Sequence, residues 1–338
     1  EMNGFQLIQK MKSDDKLKNI PIIVVTAKSS PEDLEVGKKL PIEAYLTKPL
    51  DETLLLEKIK SSMPKKESLD KPEIVIPEGK KDPVYSVDGR CFVCGYSSIQ
   101  IFLVKTKSQN INTDYFGIGC YEEQGDFVQS DYQFFNTIAC PKCLTAGIGA
   151  DIEFFAGPDN NKSPGSREKR LLGMIEADFG SRMQIISSIT GEIYDESERV
   201  IFFDRMRTAK AALTISLLEA NCLETLEPKS FKSQHSKIAS VYLKAAYFAK
   251  MDEQPEEEKK HLATALDRFL KANDEGPSMK VNFMIALLYQ ATGDLNNAKV
   301  FLSEIGNAQV AFAENNNPKV ANVLRNKAKN LLDELRYG

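Results

Sequence analysis

Cys91-Phe92-Val93-Cys94 and Cys140-Pro141-Lys142-Cys143 are the stretches whose reading decides how the middle of this 338-residue chain folds. A two-residue spacing lets both thiolates of a tight turn face one ion. Two such turns supply the four sulfurs of a closed tetrahedral zinc site. Four of the six cysteines fall into this pattern. Cys91, Cys94, Cys140 and Cys143 are therefore read as ligands of one structural Zn2+, with no position left for water or substrate. Besides unpaired thiols, two alternatives stand beside this reading. One is a pair of redox dithiols, although no βαβ pattern surrounds either pair. The other is a disulfide framework, which suits a secreted chain. The stretch 95–139 is longer than a compact ribbon needs, so it is expected to carry strands of its own.

Composition sets the frame around that centre. A hydrophobic share of 42% with 27% charged residues fits a soluble globular chain of two or three domains. A formal charge of −4 argues against a nucleic-acid partner, because any basic face would have to be local. No apolar run approaches the roughly 20 residues that span a bilayer. No membrane association is expected, and the cytoplasm is the expected location. Cys120 and Cys222 are read as ordinary reduced thiols.

Outward toward the start, Ile20-Pro21-Ile22-Ile23-Val24-Val25-Thr26-Ala27 reads as a strand buried on both faces, as in a parallel sheet. Residues 4–16 before it have helical spacing. Ser30-Pro31-Glu32-Asp33 after it opens a second helix, with serine as cap and proline in the first turn. Glu43-Ala44-Tyr45-Leu46-Thr47-Lys48-Pro49 is a short strand, and a third helix is expected over 51–62. This order is part of a doubly wound α/β domain, whose sites lie at the carboxyl ends of its strands.

Residues 1–63 resemble the C-terminal half of a response-regulator receiver domain. Met2-Asn3-Gly4-Phe5 resembles the loop after the phospho-accepting aspartate. By that resemblance Thr26 is the switch hydroxyl, Tyr45 the aromatic that turns inward on activation, and Lys48 before Pro49 the lysine that pairs with the phosphoryl group. It further implies a cognate histidine kinase as partner. The phospho-accepting aspartate and the acidic pair that binds Mg2+ are expected upstream of Glu1, so Mg2+ is expected only in the complete receiver.

Residues 64–88 shift to lysine, proline, glutamate and aspartate without an apolar period, and read as an exposed linker. Residues 89–157 form the expected β-rich zinc domain, with strands over 99–105 and 131–139. The aromatics Tyr132, Phe134 and Phe135 lead directly into Cys140. They are read as packing around the metal rather than as stacking platforms for bases.

From 165 to 338 the pattern is helical: one long helix over 198–224, then helices near 236–249, 255–272, 278–291, 296–304 and 319–336. Ala286-Leu287-Leu288-Tyr289-Gln290-Ala291-Thr292-Gly293-Asp294-Leu295-Asn296-Asn297-Ala298 is close to a tetratricopeptide repeat, with a weaker copy starting at Ala239 and Tyr242. Lys244, Asn282 and Gln290 are the expected partner-reading positions on the inner face of that array. His235 and His261 have no second ligand at metal spacing and read as structural.

From Cys91 onward the chain also resembles a bacterial family of unassigned activity that joins a two-pair cysteine domain to repeat-like helices. It departs from that family at Phe92, where the family tends to proline, and at Leu144, where it tends to glycine. Glycine after the second thiolate eases the tight turn. The resulting expectation is multidomain: a partial doubly wound α/β receiver, a small β-rich zinc domain and an all-α TPR-like domain. No catalytic motif is found, so a non-enzymatic response regulator is expected, whose zinc-stapled helical output binds a protein under control of receiver phosphorylation. A nucleic-acid-binding zinc-ribbon output is the alternative. A third reading is an enzyme whose site forms between the metal and helical parts, which a cleft with a strongly shifted pKa there would support.

Overall fold

The computed structural model describes residues 4–13, 20–27, 41–51, 54–55, 58, 75–113, 116, 118–148, 154–156, 166–192, 194–205, 207–229, 234–307, 310 and 312–337. They fall into two compact units, Glu1–Ser68 and Leu69–Gly338.

In the first unit, α1 (Gly4–Ser13) precedes two parallel strands, β1 (Ile23–Thr26) and β2 (Ala44–Thr47). Ile8 and Leu46 are its buried apolar side chains among the described residues. The strand at 23–26 is shorter and more open than its sequence implies. Val25 is exposed and its neighbours are half-buried, since only β2 pairs with it among the described residues. The helix expected from Ser30 lies outside the described residues. Asp51 starts a turn by accepting the Leu54 amide on its side chain and the Leu55 amide on its carbonyl.

The second unit is built on a three-stranded sheet of order β4-β3-β9, from β3 (Val84–Cys91), β4 (Ile99–Val104) and β9 (Phe155–Ala156). β3 begins inside the stretch read as linker over 64–88. Its alternation is legible once paired: Val84, Gly89 and Cys91 are buried while Tyr85, Ser86 and Asp88 are exposed. A hairpin, β5 (Gln109–Thr113) with β6 (Gly119–Glu123), stands beside the sheet. A second hairpin, β7 (Thr137–Ala139) with β8 (Ala146–Ile148), carries the second cysteine pair at its tip.

The strand expected over 131–139 forms only at its end. Asp131 accepts the Gln133 amide and curls Tyr132–Phe134 into a 3-10 turn. The curl lets the rings pack edge to face: Tyr132 on Phe135 at 5.1 Å, and Phe135 on Phe102 at 6.1 Å. Phe134 turns the other way, onto Phe248 of the helical part at 5.1 Å. Ring packing outweighs extension here.

Among the described residues nine helices of this unit follow: α2 (Ser166–Ala177), α3 (Phe179–Thr190), α4 (Glu196–Phe202), α5 (Ala209–Leu226), α6 (His235–Met251), α7 (Pro255–Glu275), α8 (Met279–Ala291), α9 (Leu295–Gly306) and α10 (Pro318–Tyr337). The single helix expected over 198–224 is two. Asp195 and Glu198 close a capping box at the start of α4, and Thr208 caps α5 through the Ala211 amide. α5 is buried on nearly every side, because β7, β8, α2, α3 and α6 all pack on it. It forms the spine of the unit.

The pairs α6–α7 and α8–α9 are antiparallel hairpins closed by the same turn. Asp294 N–H donates to the Tyr289 carbonyl at 2.8 Å, and Gln254 N–H donates to the Ala249 carbonyl at 2.9 Å. The left-handed residue is Gly293 (φ +86°) in one and Glu253 (φ +55°) in the other. These positions are forty residues apart, whereas a tetratricopeptide period is about 34. Ala286 and Ala298 are buried where the helices approach, and Tyr289 stacks on Phe301 at 5.8 Å.

A side chain in the left-handed region costs of order 1 kcal/mol. Glu253→Gly is therefore expected to raise stability by roughly 1 kcal/mol, less the entropy cost of glycine in the unfolded chain. Gly293→Ala, whose Cβ would meet nothing within 4 Å, is expected to lower it by a similar amount. Thermal unfolding of both variants checks the pair, and a destabilised Glu253→Gly would contradict the shared turn.

Candidate metal centre

Each cysteine pair sits on a turn with the same backbone bonds. In the first, Cys91 N–H donates to the Tyr96 carbonyl (2.8 Å) and Gly95 N–H donates to the Cys91 carbonyl (3.0 Å). In the second, Cys140 N–H donates to the Thr145 carbonyl (2.8 Å) and Leu144 N–H donates to the Cys140 carbonyl (2.8 Å). The fourth residue after each leading cysteine is left-handed: Gly95 at φ +76° and Leu144 at φ +61°. The turn at Leu144 therefore forms without glycine. Its side chain is fully buried against Ile186, Tyr194, Phe203, Ile215 and Leu218, so helix packing offsets the strain.

The structure brings together all four cysteines named from sequence. Their sulfurs lie within 4.8 Å of one another. The nearest pairs cross between the turns: Cys91 with Cys143 at 3.6 Å and Cys94 with Cys140 at 3.5 Å. A disulfide would need about 2.05 Å. A tetrahedron of bonds of about 2.3 Å has edges of roughly 3.8 Å, close to these two separations. Cys91, Cys140 and Cys143 are buried and Cys94 is half-buried. Thiols this close share protons. Cys91 is pushed up by its hydrogen bonding to Cys140, and Cys94 is drawn down to about 7 by Cys140. The four residues could hold one metal ion.

Four arginines that the sequence reading passed over tie this β-rich part to the helices. Arg182 of α3 donates through Nε and Nη2 to the Cys143 carbonyl, both at 3.2 Å, and through Nη2 to the Ile175 carbonyl. Arg199 of α4 donates to the carbonyls of Pro141 (2.6 Å) and Tyr194 (2.7 Å). Arg207 donates to the carbonyls of Thr137 (2.8 Å) and Phe203 (2.9 Å). Arg205 forms a bidentate pair with Asp82 at 2.5 and 2.7 Å and lies over the Phe135 ring. The one sequence signal was Arg182 at helical spacing from Ile186, a charge on an apolar face.

Two expected partner-reading residues face inward. The Lys244 ammonium donates to Asn136 Oδ1 and Thr137 Oγ1, and Thr137 donates to the buried carboxylate of Glu219 at 3.0 Å. Burial pulls the Lys244 pKa down to about 8 against the opposing effect of Glu219. A shifted lysine thus sits between the metal and helical parts, but its partners are all groups of the chain itself. Asn282 is buried and donates to Glu304 Oε2 at 2.9 Å. Both were expected at the surface because they are polar and on first helices. Their surroundings are set instead by β7 and α9. Gln290 is half-buried. His235 Nδ1 lies 2.7 Å from Glu227 Oε1, and the buried ring of His261 stacks on Tyr242.

In the first unit, Thr26 ends β1 and Lys48 follows β2. Lys48 N–H donates to the Thr26 carbonyl at 2.8 Å, so both stand at the carboxyl ends of the strands. Lys48 is exposed and precedes a cis peptide bond to Pro49. Tyr45 pairs with Val24, two residues back from the strand ends, and is half-buried.

Residues 1–60 match the response regulator receiver domain family. Over 58 residues the chain is 41% identical to Protein PilH of Pseudomonas aeruginosa, covering 17% of this chain and 48% of that protein. It is 36% identical over 59 residues to Chemotaxis protein CheY1 of Helicobacter pylori, covering 18% and 48%. It is 38% identical over 61 residues to the polar-differentiation response regulator DivK of Brucella anthropi, covering 18% and 50%. The chain thus spans about half the length of these relatives or less. No solved structure matches it. Among the described residues no helix is long and apolar enough to cross a membrane.

Leu144→Ala is expected to cost roughly 2–5 kcal/mol, as for other fully buried leucines. Leu144→Gly should lose still more packing, although it relaxes the positive φ. Calorimetry of the metal-loaded variants checks this, and a higher melting temperature for Leu144→Gly would contradict it.

Proposed function

We propose that this chain belongs to a two-component response regulator, whose cysteine tetrad holds one structural zinc ion and whose helical part binds a partner protein when the receiver is phosphorylated. The observation that carries this is the receiver match at residues 1–60, together with Thr26 and Lys48 adjacent at the strand ends. In this reading residues 1–60 supply part of a receiver, since each alignment covers about half of PilH, CheY1 or DivK. A phosphoryl group on an aspartate beside those strand ends would pair with the Lys48 ammonium and accept from the Thr26 hydroxyl. Tyr45 would report the change to the protein surface. Mg2+ and a cognate histidine kinase belong to the complete receiver.

Zinc is the ion favoured by four thiolates at tetrahedral spacing with no open position. Such an ion is structural, and the protein acts by binding rather than catalysis. A nucleic-acid output is the weaker reading. Arg182, Arg199, Arg205 and Arg207 are all buried and so withheld from any phosphate backbone. The proposed location is the cytoplasm.

The test uses the natural full-length protein, nuclease-treated lysate and a small-molecule phosphodonor. Capture of a protein that rises severalfold with phosphodonor, and loses that rise in Lys48→Ala, is the expected result. Capture that disappears with nuclease favours the nucleic-acid output. Capture indifferent to both phosphodonor and Lys48 would contradict the regulatory reading.

A further inference from the structure

Four thiolates around a divalent cation carry a net charge of −2. Buried in a protein interior, such a group needs positive charge close by. The second cysteine turn is gripped from behind by two guanidinium groups, Arg182 on the Cys143 carbonyl and Arg199 on the Pro141 carbonyl. Arg182 is fully buried, and its Nη1 makes no hydrogen bond. Among the described residues neither arginine forms an ion pair with a carboxylate. The nearby acids hydrogen-bond other groups, yet their charges act on the arginines: Asp178 on Arg182, and Glu196, Asp195 and Glu198 on Arg199. Asp178 accepts from Ser181, Asn221 and Thr225, while Asp195 and Glu198 close the capping box of α4. Glu196 is exposed on the first turn of that helix. A buried guanidinium cannot shed its proton, so the two charges must be balanced by something within reach.

Resting on the reading of the tetrad as a metal site, we propose that Arg182 and Arg199 are the counter-charges of the metal–tetrathiolate group and set how tightly the ion is held. The −2 of the cluster faces +1 on each arginine, with the carboxylates of Asp178, Asp195, Glu196 and Glu198 acting on the same two arginines. The same carbonyl contacts place both charges on the side of the cluster that faces α3 and α4. The two arginines are positioning residues, touching the ligands' backbone and not the ion. Occupancy of the metal site and docking of α3 and α4 then favour each other, since each supplies the charge the other needs.

The test is competition for zinc between the full chain and a chromophoric chelator. It compares the wild type with Arg182→Met, Arg199→Met, the two lysine substitutions, and Arg205→Met as a control. Arg205 lies on the same interface but bonds Asp82 rather than either cysteine turn. Loss of partners behind metal ligands typically weakens affinity about 10–100-fold. Each methionine variant at 182 or 199 is expected to fall in that range. The lysine variants should stay within about threefold of wild type, and Arg205→Met should not change. Methionine variants that bind zinc as tightly as wild type would overturn the proposal. So would lysine variants as weak as methionine, which would leave only a hydrogen-bonding role. An equal loss in Arg205→Met would reduce the effect to a loosened interface. A wild type that takes up no zinc overturns the metal reading itself, which separates the two failures.

Discussion

Four cysteine sulfurs within 4.8 Å of one another form an arrangement that thiolates alone resist, because like charges at that distance repel strongly in a low-dielectric interior. The chain arrives at it by building the same turn twice, once closed by Gly95 and once by Leu144. Each turn caps a different pair of strands: β3 with β9 carries the first, and β7 with β8 the second. A cation shared by both would join two small sheets that have little core of their own. Small β units need such a staple, since they bury too little apolar surface to be stable alone.

The helices would depend on that staple from the other side. Leu144 is at once a turn residue and a core residue shared with α3 and α5, so the geometry at the second pair and the packing of the helices are one structure. The arginines fix the interface by meeting backbone carbonyls that a hairpin this tight leaves without strand partners. Behind them the Lys244, Thr137 and Glu219 chain satisfies a polar seam where β7 crosses α5 and α6. Charge buried in this way gives little net stability. Its loss leaves the opposite group uncompensated, which makes the docked arrangement specific.

The tetrad was legible because a two-residue turn between ligands is a local geometry, written directly in the spacing of Cys91, Cys94, Cys140 and Cys143. The strand-end placement of Thr26 and Lys48 was legible for a similar reason, as short strands ending at those positions. What the sequence concealed depends on distant partners. Arg205 meets a carboxylate 123 residues away and Arg207 a carbonyl 70 residues away, and no periodicity marks either one. The break between α4 and α5 falls within an unbroken apolar pattern, because it serves to aim Arg205 and Arg207. Lys244 and Asn282 look like surface groups by type, yet burial follows neighbours rather than residue class. The start of β3 was hidden because Tyr85, Ser86 and Asp88 are its exposed face and read as linker.

Hydrogen exchange of the zinc-loaded full chain, before and after stripping the ion with a chelator, tests the central claim most directly. Protection is expected to fall together in β3, β7 and β8 and in α3, α4 and α5, while α8, α9 and α10 keep theirs. Loss confined to the cysteine turns, with α3 to α5 as protected as before, would contradict it.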